Sequence, residues 1–298
     1  MTMFGAIEAG GTKFVCGVGS AGGGSLRTAT IPTRDPDSTF RDIADFFAGC
    51  ADLGPLAGLG VASFGPVGID PDAPDYGRIL ATPKPGWEGT DLLARLRSFL
   101  DVPMALDTDV NAAALAEAAH PAHAARHLAY VTVGTGVGVG VVHDGRAANG
   151  AGHPEIGHIL VRRHPLHGDF PGTCAFHGDC LEGLAAGPAV AAAWGQSSSH
   201  FAPDHPFWRV EADYLAQLCM TLMLTVAPER IVLGGGVMQQ ERLFPLIRAR
   251  TLALLAGYVH RVKGIEAMNE IIVPPACAEP SGLVGAYLLA QGTVSPPA

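Results

Sequence analysis

The segment His153–Glu182 carries the tightest chemical constraint in the chain. It reads HPEIGHILVRRHPLHGDFPGTCAFHGDCLE, and within it Cys174, His177 and Cys180 stand three residues apart. A C-x2-H-x2-C loop is too short for much secondary structure of its own. Zinc takes tetrahedral sets of sulfur and nitrogen donors, so this spacing offers three ligands around one point. A fourth has to come from elsewhere. His153, His158, His164 and His167 all lie shortly upstream, and spacing does not choose among them. The alternative is a surface loop with solvated histidines and two idle thiols. Glu155 and Glu182 bracket the loop, where carboxylates beside a metal-clamped segment are suited to gripping hydroxyl groups. The first expectation is a structural zinc that shapes a polar-substrate site.

A chain of 298 residues is long enough for two lobes with substantial cores. Its 39 glycines and 23 prolines are scattered through apolar runs, which argues against disorder. No apolar run reaches the length of a membrane span. The opening MTMFGAIEAGGTK lacks the basic region and apolar core of a signal peptide, so a cytoplasmic location is expected. Six cysteines do not make a disulfide framework here; Cys16, Cys50, Cys219 and Cys277 sit among apolar or small residues and read as buried thiols. A formal net charge of -9 without a basic stripe argues against nucleic acid as a partner. An anionic substrate would have to be held locally, by backbone N–H groups and magnesium.

Along the chain, Phe4–Gly19 reads as a β-hairpin around Gly10, Gly11, Thr12 and Lys13. Its turn lacks bulky side chains, so its N–H groups can approach a phosphate closely. A strand and not a helix follows, which separates it from the Walker A loop. Thr39–Ala48 reads as a helix, Leu56–Gly68 as a strand running into a Gly/Pro loop, 70–87 as a proline- and glycine-rich loop ending in TPKPGW, and Thr90–Leu100 as a helix. Val102–Leu106 then reads as a short strand and Val110–Ala119 as a helix, with Thr108 or Asp109 near its N-cap. Capping is the ordinary role for such an aspartate. A carboxylate at the C-terminal end of a strand, beside a helix N-terminus, also points into the crevice where α/β sheets bind ligands, and it stays ionised there. Such a group can accept a substrate hydroxyl proton.

Residues 128–142 repeat the opening theme, with Gly134, Thr135 and Gly136 in the turn; two such hairpins suggest a duplicated domain with two phosphate-facing turns. A helix is expected from Leu181 to Trp194, interrupted at Gly187-Pro188, and another over 208–226. Arg230–Ile247 reads as strand, three-glycine turn and helix, where bare backbone can accept the flat face of a base or sugar. A capped helix is expected from Ser281, and the tail Thr293–Ala298 is expected to fray.

Taken together, the segments EAGGTKF, DTDVNAAALAE, VTVGTGVGVG, HPEIGHILVRRHP, C-x2-HGDCLEG and LGGGV, in that order, resemble the ROK family of sugar kinases, and most of all its fructokinase branch. The resemblance covers nearly the whole chain. It implies an α/β protein of the actin-like, ribonuclease-H-like fold, with two lobes and ATP and sugar in the cleft between them. The lobes are drawn at 1–115 plus 281–298 and at 116–280. The resemblance makes Asp109 the catalytic base and makes Thr108, Asp109, Glu155, His158 and Glu182 the sugar-binding positions. It makes His158 the fourth zinc ligand beside Cys174, His177 and Cys180. Gly10, Gly11, Thr12 and Lys13 match one phosphate motif and Gly134, Thr135 and Gly136 the other; Gly234, Gly235, Gly236 and Val237 match the adenosine motif, and Gly187-Pro188 lies near the nucleotide. Three departures stand out: Glu8 in place of the common aspartate, Thr108 in place of asparagine, and His177 where many relatives carry cysteines at another spacing. All three look like the fructokinase branch. The resemblance thus implies phosphorylation of fructose to fructose 6-phosphate with ATP and Mg2+, beside a bound Zn2+ and in a homodimer with no nucleic-acid or membrane partner. The alternatives are a kinase for glucose, mannose or another hexose, or a catalytically idle sugar sensor on the same fold.

Overall fold

The computed structural model describes residues 1–20 and 24–294. They fall into two compact units: Met1–His120, Arg146–Pro154 and the described residues from Cys277 onward form unit 1, and Pro121–Gly145 with Glu155–Ala276 form unit 2. From residue 295 on, the tail expected to fray lies outside the described residues. No helix among them is long and apolar enough to cross a membrane.

Unit 1 is built on a sheet of order β3-β2-β1-β4-β5, with β1 Met3–Ala9, β2 Lys13–Ser20, β3 Ser25–Pro32, β4 Leu56–Ser63 and β5 Met104–Thr108. The hairpins β1–β2 and β2–β3 are antiparallel, while β4 runs parallel to both β1 and β5. Side-chain alternation splits β1 between two cores. Ile7 faces Phe14, Phe40, Ile43 and Trp87, under helices α1 (Pro36–Ala48) and α2 (Leu92–Arg97). Phe4 and Ala6 face Leu283, Ala286 and Tyr287 of helix α9 (Ser281–Gly292) on the other side. Close approach there needs bare backbone: a Cβ on Gly60 would lie 1.8 Å from the Ala286 carbonyl oxygen, and one on Gly285 1.9 Å from that of Ala112, in helix α3 (Asp109–Ala119).

Trp87 is fully buried, tilted over Phe14 with ring centroids 5.4 Å apart, and its Nε1 donates to the Arg34 carbonyl at 2.8 Å. The proline-rich loop therefore ends on a core anchor. The segment Arg146–Pro154, which includes the two-residue strand β8 (Arg146–Ala147), is held to unit 1 by side chains. Asn149 Oδ1 accepts from Asn111 Nδ2 at 2.9 Å, and His153 Nε2 accepts from the Val67 N–H at 3.3 Å.

Unit 2 carries the sheet order β10-β9-β6-β7, with β6 Leu128–Val133, β7 Val137–His143, β9 Arg230–Gly234 and β10 Ile272–Val273. Again a hairpin (β6–β7) is followed by a parallel neighbour (β6–β9). Its helices are α4 Leu181–Ala185, α5 Gly187–Trp194, α6 Phe207–Thr225, α7 Leu243–Leu255 and α8 Ile265–Ile271.

Several local expectations shift. The helix expected over Thr90–Leu100 is confined to Leu92–Arg97, where the Asp91 carboxylate caps it through the Ala94 N–H. Gly187-Pro188 opens α5, and the break between α4 and α5 falls at Ala186, whose ψ is 154°. Proline is tolerated at a first helical turn because its missing N–H has no partner to lose there. Helix α9 begins at Ser281 as expected but carries no side-chain cap: Pro280 holds the cap position, and the Ser281 hydroxyl donates to Glu117 at 2.5 Å. Cys277 is half-buried where a buried thiol is expected; Cys16, Cys50 and Cys219 are buried.

Candidate functional site

In unit 1, three parallel strands end in register: Ala9 of β1 pairs with Ser63 of β4, and Ser63 with Thr108 of β5. The chain leaves those ends as the Gly10–Thr12 turn, the Phe64–Gly68 loop with its cis Gly65–Pro66 peptide, and α3. This row of carboxyl ends is where α/β sheets present ligand-binding groups. The turn is closed by the Gly10 N–H on the Lys13 carbonyl at 2.9 Å. The Thr33 hydroxyl donates to the Gly10 carbonyl at 2.8 Å and the Thr33 N–H to the Thr12 carbonyl at 3.0 Å. Glu8 points to the α9 side of β1, its Oε1 against Gly282, and burial pushes its carboxyl up, partly offset by the charge of Lys13.

At the end of β5, Thr108 and Asp109 divide the labour at the head of α3. Thr108 adopts the extended cap conformation and its hydroxyl accepts the Asn111 N–H at 3.1 Å; Asp109 opens the helix with Oδ1 on the Val110 N–H at 2.9 Å. The helix dipole favours an ionised carboxylate at that place. Asp107, which the sequence reading passed over, is buried and accepts at Oδ1 from Thr108 N–H and Asn111 Nδ2, both at 2.7 Å. Desolvation pushes its carboxyl up and the Asn111, Thr108 and Asn149 hydrogen bonds pull it back. A carboxylate so engaged holds the β5–α3 junction in shape. No alternation on β5 marks it in sequence, since Leu106, Asp107 and Thr108 are all buried.

In unit 2, three glycine segments converge. The Gly134 N–H closes its turn on the Gly136 carbonyl at 2.9 Å, and the Gly187 N–H donates to the Gly134 carbonyl at 2.7 Å. A Cβ on Gly134 would lie 4.0 Å from the Gly236 nitrogen. Thr135 lies in the same turn, between β6 and β7, and Pro188 follows at the start of α5. Gly234 ends β9; Gly235 takes a φ of 90° with its α-carbon pressed to the Val133 backbone, a conformation that excludes side chains. Val237, buried, begins a single 3-10 turn.

The Cys/His loop of unit 2 does form one cluster. His158, Cys174, His177 and Cys180 bring one donor atom each to within 4.8 Å of one another. Cys174 Sγ lies 3.6 Å from His158 Nδ1 and 3.7 Å from His177 Nδ1, and Cys180 Sγ lies 3.5 Å from His158 Nδ1. Tetrahedral zinc, with bonds of about 2.3 Å to sulfur and about 2.0–2.1 Å to nitrogen, sets such neighbours about 3.5 Å apart. The donors therefore fit a zinc ion in both kind and spacing. Burial pushes the Cys180 thiol up to about 11, so its thiolate form calls for a cation alongside. Backbone pairs staple the loop: Cys174 N–H to the Gly178 carbonyl at 3.1 Å, Gly178 N–H to the Cys174 carbonyl at 3.0 Å, and Leu181 N–H to the Ile159 carbonyl at 2.9 Å.

The other upstream histidines serve elsewhere. His153 meets Val67 in unit 1, His164 Nδ1 accepts the Leu166 N–H at 3.1 Å, and His167 Nδ1 pairs with the Tyr214 hydroxyl at 2.8 Å. Burial pushes the buried His167 imidazole down to about 4.

His158 links the cluster to the second glycine hairpin. Its Nδ1 faces the sulfurs, while Nε2 lies 3.9 Å from Glu182 Oε1; Glu182 Oε2 in turn accepts the Val137 N–H at 3.0 Å. A carboxylate behind a ligating imidazole fixes its ring and tautomer. Glu155, exposed, heads the 3-10 turn Ile156–His158, and its carbonyl accepts the His158 N–H at 3.0 Å. That turn abuts β7, since a Cβ on Gly157 would lie 1.7 Å from the Val137 carbonyl oxygen.

Comparison with known proteins agrees with this architecture. The ROK family model matches residues 4–293. A fructokinase of Pediococcus pentosaceus is 42% identical over 293 residues, covering 98% of this chain and 99% of its own. A fructokinase of Zymomonas mobilis is 39% identical, covering 97% and 96%. Among solved structures, the ROK hexokinase of Thermus thermophilus superposes with a TM-score of 0.77 at 24% identity, over 97% of this chain and 98% of that one. The chain belongs to the ROK family and has its actin-like ATPase fold.

Proposed function

On the premise of that membership, we propose that the chain transfers the terminal phosphoryl group of ATP to the C6 hydroxyl of D-fructose. The observation that carries this reading is identity of 36–42% with several curated fructokinases over 93–98% of the chain. In the step, the sugar oxygen forms a bond to the γ-phosphorus and the bond to the β,γ-bridging oxygen breaks. ADP leaves with that electron pair, and the hydroxyl proton passes to the Asp109 carboxylate. Asp109 suits this task because its helix terminus keeps it ionised and the capping is done by Thr108.

Phosphoryl transfer depends on positioning and charge stabilisation, so the remaining groups act as holders. Thr108, Glu155, His158 and Glu182 grip the hexose. Gly10, Gly11, Thr12 and Lys13, with Gly134, Thr135 and Gly136, receive the phosphates through bare backbone; Gly234, Gly235, Gly236 and Val237, with Pro188, receive the adenosine. Zinc held by His158, Cys174, His177 and Cys180 supplies a rigid cross-link and no reacting group, since four protein ligands close its coordination. Magnesium bound with the nucleotide would supply charge neutralisation on the phosphates.

A reducing cytoplasm suits both the ATP donor and the free thiols. The family resemblance carries the reading of a homodimer, which sedimentation will test. A coupled assay of ADP release across a panel of hexoses tests the activity itself. Fructose is expected to give the highest kcat/KM; higher turnover of glucose or mannose would reassign the substrate, and no turnover of any hexose would overturn the reading.

A further inference from the structure

The chain contains three lysines, Lys13, Lys84 and Lys263, against sixteen arginines. Two of the three meet at the β1–β2 turn. Lys13 follows it in sequence, whereas Lys84 reaches it from the TPKPGW loop and donates its ammonium to the Gly11 carbonyl. The loop that delivers Lys84 is anchored on both sides. Prolines flank the residue, the Leu80 N–H donates to the Pro66 carbonyl at 2.8 Å, and fully buried Trp87 lies tilted against Phe14, the neighbour of Lys13.

The polarity of the turn is one-sided. Its three carbonyls are taken: Gly10 by the Thr33 hydroxyl, Thr12 by the Thr33 N–H, and Gly11 by Lys84. Among the described residues, the N–H groups of Gly11 and Thr12 meet no acceptor in the protein. A Cβ built on Gly11 meets nothing within 4 Å, so the space above it is open. Successive unengaged N–H groups on a bare turn make an anion-binding concavity. Lys84 is half-buried, and among the described residues no carboxylate lies within ion-pair distance of it, in contrast to Arg34, which pairs with Asp42. A partly desolvated ammonium with three protons and one acceptor is short of an anion.

We propose that Lys84 is the charged member of the phosphoryl-binding site on the β1–β2 turn. It keeps one proton on the Gly11 carbonyl, which shapes the turn, and gives the others to the terminal phosphoryl group of the nucleotide. The turn N–H groups of Gly11 and Thr12 bind the same group. The inference rests on reading this turn as phosphate-facing, and it adds a residue from a loop 73 positions away in sequence.

Lys84→Met and Lys84→Arg test it, each measured for kcat on fructose and, by calorimetry, for affinity toward ATP and AMP. In Lys84→Met, kcat is expected to fall by about 10²–10³-fold, as for loss of one preorganised donor to a transition state. ATP is expected to weaken by about 10–100-fold while AMP, which lacks the terminal group, keeps its affinity. Lys84→Arg restores part of both losses, which a merely structural clamp would not do. The proposal is overturned if Lys84→Met keeps the wild-type kcat, or if ATP and AMP weaken equally. Should the wild-type protein phosphorylate no hexose, the proposed function fails, and the ATP-to-AMP difference in the variants still decides the role of Lys84.

Discussion

The hydroxyl of Thr108 accepts the backbone N–H of Asn111 at 3.1 Å, and this makes Thr108, not Asp109, the cap of α3. The two ordinary uses of a polar side chain at a strand-to-helix junction are thus separated onto neighbouring residues. Thr108→Ala is expected to cost about 1 kcal/mol of stability, the usual loss for a missing N-cap, and to lower Tm accordingly. Thermal denaturation of the variant checks this; an unchanged Tm would mean that the cap is supplied elsewhere.

The cluster of His158, Cys174, His177 and Cys180 predicts one zinc per chain. Replacing Cys174 or Cys180 by serine removes a soft donor and should release the metal. Because metal binding is coupled to local folding, both variants are also expected to lose Tm and to become protease-sensitive between residues 155 and 182. Elemental analysis of purified protein provides the measurement. One zinc retained in both variants would refute this ligand set.

Gly136 and Glu182 are expected to act as a unit. A Cβ at position 136 would come within 2.5 Å of Glu182 Oε2, the oxygen that accepts the Val137 N–H. Gly136→Ala should push the carboxylate away from His158 and raise the KM for fructose, as Glu182→Gln should. The double variant is expected to be no worse than the poorer single one, since both lose the same contact. Additive effects on KM would show that the two positions work separately.

His167 gives stability a definite pH dependence. Burial holds its imidazole down to about 4, against an ordinary 6.5, so the folded protein binds fewer protons than the unfolded chain between those values. Its contribution is complete above pH 6.5 and is lost as pH falls toward 4. His167→Phe removes the titrating group from a pocket already lined by Phe170 and Trp194. The variant should show a shallower decline of Tm between pH 6.5 and 4 than the wild type. Equal slopes would remove His167 from the acid response.

Much of this arrangement is written locally in the chain. Glycine turns between short apolar strands announced both hairpins, because few other residues allow so bare a turn. The spacing of Cys174, His177 and Cys180 announced a cluster because three donors three residues apart converge in any tight loop. The fourth donor was beyond spacing: His153, His158, His164 and His167 are equivalent in sequence, and what separates them is tertiary. Gly157 lets the turn carrying His158 press against β7, while His167 is captured by Tyr214. Long-range contacts hid the rest. The Ser281 hydroxyl answers to Glu117, 164 residues away, and Arg146–Pro154 joins unit 1 through Asn111 and Val67. Lys84 gave no local signal at all, since its meaning comes from the carbonyl of Gly11.

The central claim is that Asp109 takes the proton of the sugar hydroxyl, and Asp109→Asn tests it with the least disturbance. The amide keeps the shape of the side chain, Thr108 keeps the helix capped, and the zinc ligands are untouched. The measurement is kcat for fructose in a variant shown to retain its zinc and its wild-type Tm. Loss of a general base predicts a fall of about 10²–10⁴-fold. Turnover at the wild-type rate would contradict the account.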